Sequence, residues 1–229
     1  MDFMAPKTAL MLLTVSAISC TAFSACQTSD AREAQTIQKD QMPYFNSPDF
    51  TPQFFNKPSE AAIMVTHRIA DFSLQNQNGD LFTRADLAGK IHVADFFFTG
   101  CGSICPRMTT NMKLVDNAYK NDSDVVLLSY SVTPWQDSVS VLKNYAEYQG
   151  INSPNWHLLT GPKSEIYTLA RQSYFAEQEL GFTKDSTEFL HTEHFILVDK
   201  TGRIRGIYNG TIQLDIEQLI QDIRLLKEE

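Results

Sequence analysis

The chain has 229 residues, of which 43% are hydrophobic and 20% charged, and its formal net charge at pH 7 is −8. This length is sufficient for one domain with a leader and a linker, and the hydrophobic fraction is sufficient for a packed core without disulfide bonds. No run of Lys and Arg interrupts the acidic balance, which argues against nucleic-acid binding because neutralising phosphates requires clustered basic side chains.

Residues 1–25 are predicted to be a signal peptide of the lipoprotein type. Lys7 precedes an uncharged run, residues 8–23, that is shorter than the roughly 20 apolar residues of a membrane-spanning helix. The tetrapeptide F-S-A-C that ends at Cys26 resembles a bacterial lipobox, with Phe in place of the usual Leu. It predicts lipidation of Cys26 and an exported, membrane-anchored protein that faces the periplasm. Ordinary secretion and an uncleaved anchor are the alternatives, and both also export the domain.

Residues 26–62 are predicted to be a tether followed by an extended segment. The stretch from Gln27 to about Asp40 is polar and lacks apolar periodicity, which is typical of a linker. Four prolines and five aromatic residues follow between Pro43 and Pro58. So many aromatic side chains predict that the segment lies against the surface of the domain, and the surface of a partner is the alternative.

A folded domain is predicted over residues 63–229, where strand and helix patterns follow one another. The strands are predicted at residues 72–74, 81–82, 91–98, 125–132, 156–159, 195–198 and 204–208, and the helices at 106–119, 137–149, 163–173 and around 216–223. Asp137 is the predicted N-cap of the second helix, and Gly150 its C-terminal stop. The pattern predicts an α/β fold with a central mixed sheet and helices on both faces. This order is similar to the three-layer thioredoxin-like fold with an added N-terminal β-hairpin.

Two cysteines of the predicted domain, Cys101 and Cys105, occur where a buried strand meets the start of a helix. Because no distant cysteine is present in the domain, the pair is predicted to be reactive or metal-binding and not a structural disulfide. The N–H groups and dipole of the helix favour thiolates, and the spacing of four residues places both sulfur atoms on one helical face. A thiolate metal site and a dithiol redox pair without metal both remain open.

His191 is the histidine predicted to complete the site. In a thioredoxin-like fold the loop before the strand at residues 195–198 faces the turn that carries Cys101 and Cys105, called the cysteine turn below. Oxidoreductases of that fold usually carry a cis-proline in this loop. This chain has no proline after Pro162, and His191 stands in that loop instead. His194 is a weaker candidate, because in an extended chain it points to the opposite face. The other three histidines are predicted to be structural or exposed.

Three segments resemble motifs of the Sco/SenC family. Residues 94–106 are similar to its strand followed by C-x-x-x-C-P, and residues 191–202 to its H-[ST]-x-x-x-[YF]-[LI]-[VI]-x-x-x-G segment. Residues 131–137 resemble its S-[IV]-D-P-x-x-D stretch, although Thr133 stands where many members have Asp. The likeness covers roughly residues 69–226.

Carried over by position, the resemblance implies that Cys101, Cys105 and His191 ligate one copper ion per monomer. Two thiolates and one imidazole form a soft set that suits Cu(I). Cu(II) fits with a fourth donor such as water or Glu193, and zinc is the competing metal. The family further implies a metallochaperone, not an enzyme, that is a monomer. Its implied recipient is the dinuclear copper site of cytochrome c oxidase subunit II, whose cysteines it also reduces.

The alternative function is an exported thiol–disulfide oxidoreductase or redox sensor in which Cys101 and Cys105 act as a catalytic pair without metal. A third class, the thiol peroxidases of this fold, carries a proline in P-x-x-x-[ST]-x-x-C. The residues before Cys101 lack that proline, so this class is rejected.

Overall fold

The computed structural model describes residues 41–176 and 192–229. The strands in these ranges are β1 (Tyr44–Phe45), β2 (Pro52–Gln53), β3 (Ser73–Gln75), β4 (Leu81–Thr83), β5 (Ile91–Phe97), β6 (Val125–Ser131), β7 (Trp156–Leu159), β8 (His194–Val198) and β9 (Ile204–Asn209). The helices are α1 (Pro58–Met64), α2 (Cys105–Tyr119), α3 (Val139–Gln149), α4 (Lys163–Thr168) and α5 (Gln213–Glu228), with a 3₁₀ turn at Arg84–Leu87 and a π-helical turn at Leu169–Ser173. No helix in the described ranges is long and apolar enough to cross a membrane.

The main sheet has seven strands in the order β2-β1-β9-β8-β5-β6-β7. Strands β5, β6 and β7 run parallel, whereas β8 and β9 form an antiparallel hairpin that pairs with β5. Strands β3 and β4 form a separate hairpin that precedes β5. This arrangement confirms the predicted α/β fold with a central mixed sheet.

Every residue of β5 and β6 is buried, which explains why both strands appear as nearly continuous apolar runs in the sequence. Alternate side chains of β5 enter different cores because successive residues of a strand point to opposite faces. Val93 and Phe97 pack in the core that includes side chains of α2, α3 and α5. Ala94 and Phe96 pack in the core that includes α4 and the β3–β4 hairpin. The sheet is therefore covered on both faces.

The N-cap of helix α3 lies one residue later than predicted. Ser138 is its N-cap, and the Ser138 Oγ atom accepts a hydrogen bond from the backbone N–H of Val141. Gly150 ends the helix in the left-handed conformation with φ of 69°, which confirms the predicted stop. The predicted role of Asp137 as the cap is wrong, because its carboxylate accepts hydrogen bonds from other elements.

The segment before Ile63 belongs to the packed structure. Phe45 in β1 pairs with Ile204 in β9, so β1 and β2 extend the main sheet. The guanidinium of Arg205 lies 3.9 Å from the centre of the Tyr44 ring, and it donates hydrogen bonds to the backbone carbonyls of Met42 and Pro43. The predicted tether and extended segment therefore includes strands and a helix that were not anticipated. The predicted signal peptide lies outside the described residues.

Candidate metal centre

The two cysteines occupy the junction between β5 and α2, as predicted. Cys105 is the first residue of α2 and is only 5% exposed, whereas Cys101 is half-buried in the preceding turn. Both are free thiols. The N–H of Cys101 donates a hydrogen bond to the carbonyl of Phe98, which closes the turn directly after the strand. One sulfur atom can thus meet a partner molecule while the other faces the core.

The pKa values of the two thiols are shifted in opposite directions. Partial burial raises the pKa of Cys101, but hydrogen bonds from the Cys105 thiol and from backbone N–H groups of the turn outweigh it, so the pKa lies below that of a free thiol. Burial, together with the hydrogen bond to Cys101, raises the pKa of Cys105 to about 12. Cys101 is therefore the better nucleophile and the better metal donor, and Cys105 would have to release a proton in order to ligate a metal ion.

A buried carboxylate, Asp95, lies beneath the cysteine turn on β5. It is 3% exposed, and its negative charge contributes to the raised pKa of Cys105. Burial raises the pKa of Asp95 to about 7, and this effect outweighs a hydrogen bond from Ser129 that lowers the pKa. Its Oδ1 atom has no hydrogen-bond partner in the described part of the chain. The indole of Trp156 donates to the Ser129 hydroxyl at 3.0 Å, so Asp95, Ser129 and Trp156 form a buried polar chain.

Asp137 connects the cysteine turn to the end of β6. Its carboxylate accepts hydrogen bonds from the Thr99 hydroxyl at 2.5 Å, the Ser131 hydroxyl at 2.5 Å and the Thr133 hydroxyl at 2.9 Å. The backbone N–H of Thr99 donates to it at 3.3 Å. Thr99 stands two residues before Cys101, so Asp137, which is 1% exposed, fixes the start of the turn. The sequence analysis predicted neither this role of Asp137 nor the buried position of Asp95. The position of Asp95 could have been inferred, because it is the one acidic residue within the apolar run of β5.

The predicted ligand His191 lies outside the described residues. In the ranges 41–176 and 192–229, no group of three His, Cys, Asp or Glu side chains is arranged to hold a metal ion. The sheet nevertheless brings the residues that follow His191 close to the end of β5 where the turn with the two cysteines begins. Ala94 pairs with Ile196 and His92 with Val198, so the start of the antiparallel strand β8 lies at the end of β5 from which the cysteine turn leaves.

The four described histidines make contacts within the fold. His194 forms a hydrogen bond through Nδ1 with the Thr192 hydroxyl at 3.2 Å, and burial lowers its pKa. His92 is buried and its Nε2 atom lies 3.1 Å from the Tyr174 hydroxyl. The other two contacts are between His67 Nε2 and the carbonyl of Ser173, and between the rings of His157 and Phe82. These contacts agree with the structural roles predicted for His67, His92 and His157.

The donor atoms of the two cysteines fit a soft metal ion. Two adjacent thiols, one of them with a lowered pKa, supply the sulfur ligands that Cu(I) prefers. The thiols are joined by a hydrogen bond, so they are close enough to share one ion. The same pair is equally suited to form and break a disulfide, because an accessible thiolate next to a buried thiol is the usual arrangement for exchange.

Comparison with known proteins identifies relatives over most of the chain. The family model described as SCO1/SenC matches residues 61–228. A SCO1/SenC family lipoprotein from Bacillus anthracis is 32% identical, with a TM-score of 0.61 over 71% of this chain and 96% of its own. BsSco is 30% identical, with a TM-score of 0.60, and the match covers 71% of this chain and 94% of BsSco. It is described as having a disulfide switch and as a member of the Sco family of cytochrome c oxidase assembly proteins. ScoI of Bradyrhizobium japonicum, whose structure contains copper, is 28% identical, with a TM-score of 0.55, and the match covers 69% of this chain and 98% of ScoI.

We expect Asp137→Ala to lower the free energy of unfolding by about 3 kcal/mol, because it leaves buried hydroxyl groups without an acceptor. It should also speed alkylation of Cys105 by iodoacetamide, since the turn above this thiol is released. Denaturant titration and mass spectrometry measure the two effects. The matched control is Ser138→Ala, which removes the N-cap at a cost of about 1 kcal/mol and leaves the turn held. Equal alkylation rates in the two variants would contradict the role of Asp137.

We expect Asp95→Asn to change how stability depends on pH. The folded protein retains the Asp95 proton up to about pH 7, whereas the unfolded chain loses it near pH 4. The contribution of this difference to the free energy of unfolding is fully present below pH 4 and is lost as the pH rises through 7. The total loss is on the order of 4 kcal/mol. Asn cannot ionise, so the stability of the variant relative to the wild type should increase between pH 4 and 8.

Urea denaturation of the reduced, metal-free protein across this pH range measures the difference. Asp71→Asn is the control, because Asp71 is exposed. Parallel pH profiles for the wild type and Asp95→Asn would show that the Asp95 pKa is not raised.

Proposed function

The chain belongs to the SCO1/SenC family, and on this premise we propose that it is a metallochaperone that binds one copper ion and delivers it during the assembly of cytochrome c oxidase. The observation that carries the proposal is the pair of free thiols at the junction of β5 and α2, at the sheet edge where β8 begins. Copper in the related ScoI structure of Bradyrhizobium japonicum supports the choice of metal.

The proposed ligands are Cys101, Cys105 and His191. Cu(I) suits this set because thiolates and imidazole are soft donors, and Cu(II) would add a further ligand. The half-buried Cys101 is accessible to a donor atom of a recipient, so ligands can be exchanged one at a time. Cys105 is protonated before binding, and its proton would be released to solvent as the thiolate ligates the metal, which would make uptake favourable at higher pH and release favourable at lower pH.

The proposed recipient is the dinuclear copper site of cytochrome c oxidase subunit II. The description of BsSco as a member of a family of cytochrome c oxidase assembly proteins supports a recipient in that enzyme. Transfer between cysteine and histidine ligands of two proteins requires only the exchange of similar donors. The protein is proposed to act as a monomer that binds one ion.

Reduction of a recipient disulfide is the second candidate function, and the asymmetry of the two thiols favours it. The Cys101 thiolate would attack one sulfur of the disulfide and release the other as a thiol. Cys105 would then lose its proton and displace the bound recipient sulfur. The recipient gains two electrons and two protons, and Cys101 and Cys105 become a disulfide. The disulfide switch described for BsSco supports a redox role for the thiol pair of this chain.

The proposed location is the periplasmic face of a membrane, through lipid on Cys26. The lipobox-like tetrapeptide before Gln27 supports this location, and so does the description of the Bacillus anthracis relative as a lipoprotein. The packed structure begins near Met42, so about fifteen residues would separate it from the lipid. A chain of this length allows the cysteine turn to reach a recipient in the same membrane.

We expect His191→Ala to weaken copper affinity by about 100-fold or more, because the ion would keep only its two thiolates. Thiol titration should still count the same reactive cysteines. Chelator competition with the reduced full chain measures the affinity, and Cys101→Ser and Cys105→Ser should abolish binding. The control is His157→Ala, whose ring packs on Phe82 in the separate hairpin. Undiminished affinity in His191→Ala would refute the ligand assignment, and an absence of copper binding in the wild type would favour the thiol–disulfide exchanger.

We expect Cys26→Ser to abolish lipid attachment and to move the protein from the membrane fraction or leave it as an unprocessed precursor. Only a thiol at this position can carry the thioether lipid of a lipoprotein. Incorporation of labelled palmitate and cell fractionation measure the two effects. Cys20→Ser is the matched control within the leader and should be labelled like the wild type. Label retained in Cys26→Ser would place the attachment elsewhere.

A further inference from the structure

A polar groove with a volume of about 650 Å³ lies at the edge of the main sheet where the parallel strands end. Its walls are the β3–β4 hairpin, the first turns of α3 and the loops that follow β6 and β7, which contribute Gln75, Lys143, Pro134 and Gly161 respectively. Because β5, β6 and β7 are parallel, the cysteine turn that follows β5 lies at the same edge. Sheets of this kind bind their ligands at the carboxyl ends of the strands.

Hydrogen bonds attach one wall of the groove to the cysteine turn. The hydroxyls of Thr133 and Thr99 both donate to the Asp137 carboxylate, at 2.9 Å and 2.5 Å. Pro134, which lines the groove, directly follows Thr133, and Thr99 stands two residues before Cys101. A polypeptide that lies in the groove is therefore beside the accessible thiol.

An exposed tryptophan stands next to the groove. The Trp135 side chain directly follows Pro134 and is 56% exposed, although tryptophan is usually buried. The Lys163 ammonium lies 5.0 Å from the centre of the Trp135 ring and 4.9 Å from that of Tyr167. Tyr167 is buried, and its hydroxyl donates to the carbonyl of Val132 at 3.0 Å. The indole is thus held from one side in a fixed position, which lowers the entropy lost when a partner packs on it.

The charge of the groove is opposite to that of the whole chain. The formal net charge of the protein is −8, but among the described residues that line the groove Lys143 is the charged one and none is acidic. Lys143 is exposed, and its ammonium pairs with none of the described carboxylates. Amide and hydroxyl side chains, among them those of Gln75, Asn78 and Ser140, can hydrogen-bond to an extended backbone. This lining is complementary to an acidic segment of polypeptide.

We propose that the groove and the Trp135 indole form a docking surface for the polypeptide whose cysteines exchange with Cys101, and that this surface takes an extended, acidic segment. A carboxylate of the segment meets Lys143, an apolar side chain packs on the open face of Trp135, and the cysteine of the segment comes next to Cys101. The inference rests on the proposed function in one respect, that the protein acts on cysteines of another polypeptide.

The test uses two synthetic peptides that differ only in carrying Glu or Lys on both sides of one cysteine, together with a leucine. The cysteine is activated as a mixed disulfide with thiopyridine. The Cys101 thiolate attacks the peptide sulfur, a disulfide between Cys101 and the peptide forms, and the pyridine thiolate leaves and takes a proton from solvent. Absorbance of the released thiopyridone gives the second-order rate constant. The protein is the reduced full chain with Cys20→Ser and Cys26→Ser, so that the leader thiols do not react.

We expect this protein to react about tenfold faster with the acidic peptide than with the basic one, although its net charge is negative. Lys143→Glu should reverse the preference, because it places a carboxylate in the groove. Lys120→Glu is the matched control with the same change in net charge. Lys120 is exposed and follows the last residue of α2, at the end of that helix opposite to Cys105, so the preference should remain. Equal preferences in the two lysine variants would overturn the docking surface.

Trp135→Ala should slow the reaction with both peptides about tenfold, the effect typical of removing a tryptophan from the centre of an interface. Trp135→Phe, which keeps an aromatic ring, should lose less. The matched control is Tyr148→Ala, because Tyr148 is an aromatic residue of α3 that is 87% exposed and does not line the groove. Every variant should react like the parent protein with dithiodipyridine, a small neutral disulfide that reports the reactivity of Cys101 alone.

Two results separate this inference from the proposed function. Equal peptide rates in Trp135→Ala and Tyr148→Ala would overturn the role of the indole. Chelator competition measures copper affinity independently, and Trp135→Ala and Lys143→Glu should bind copper like the parent protein. A parent protein that binds no copper but prefers the acidic peptide, with the preference reversed in Lys143→Glu, would refute the metallochaperone and support the docking surface.

Discussion

Burial of β5 on both faces is the constraint on which the site depends. A strand in the middle of the sheet, with β6 on one side and β8 on the other, has its backbone hydrogen bonds satisfied by its neighbours and cannot shift in register without exposing both cores. The cysteine turn leaves from the end of this strand and leads directly into α2. The position of Cys105 is therefore determined by the core, while Cys101, four residues earlier, remains accessible.

The difference between the thiols follows from this placement. Cys105 is buried against the core, and the nearby Asp95 carboxylate further disfavours its thiolate, whereas the backbone N–H groups of the turn stabilise a thiolate at Cys101. Asp137 attaches the start of the turn to the end of β6, because its carboxylate accepts hydrogen bonds from both Thr99 and Ser131. A metal carrier and a disulfide exchanger both require one accessible and one protected thiol. The same geometry thus serves either chemistry.

The N-terminal segment contributes to the fold through two sets of long-range contacts. Arg205 holds Tyr44 by stacking and by hydrogen bonds to the preceding carbonyls, and it also forms an ion pair with Glu229 at 2.5 Å. Phe50 in the same segment contacts Phe175 and His194 edge to face, with ring centroids 6.4 Å and 6.2 Å apart.

Local pattern in the sequence determined the elements and the chemistry of the site. Continuous apolar runs identified β5 and β6, and the spacing of Cys101 and Cys105 at the start of a helix identified the thiol pair, because both signals depend on residues close in the chain. The tertiary structure decided the rest. Asp137 was interpreted as a helix cap, since a cap is local, but its partners Thr99 and Ser131 belong to two different strand ends. The contacts of Phe50 and the stacking of Arg205 on Tyr44 join residues more than a hundred positions apart, and no local pattern encodes such contacts.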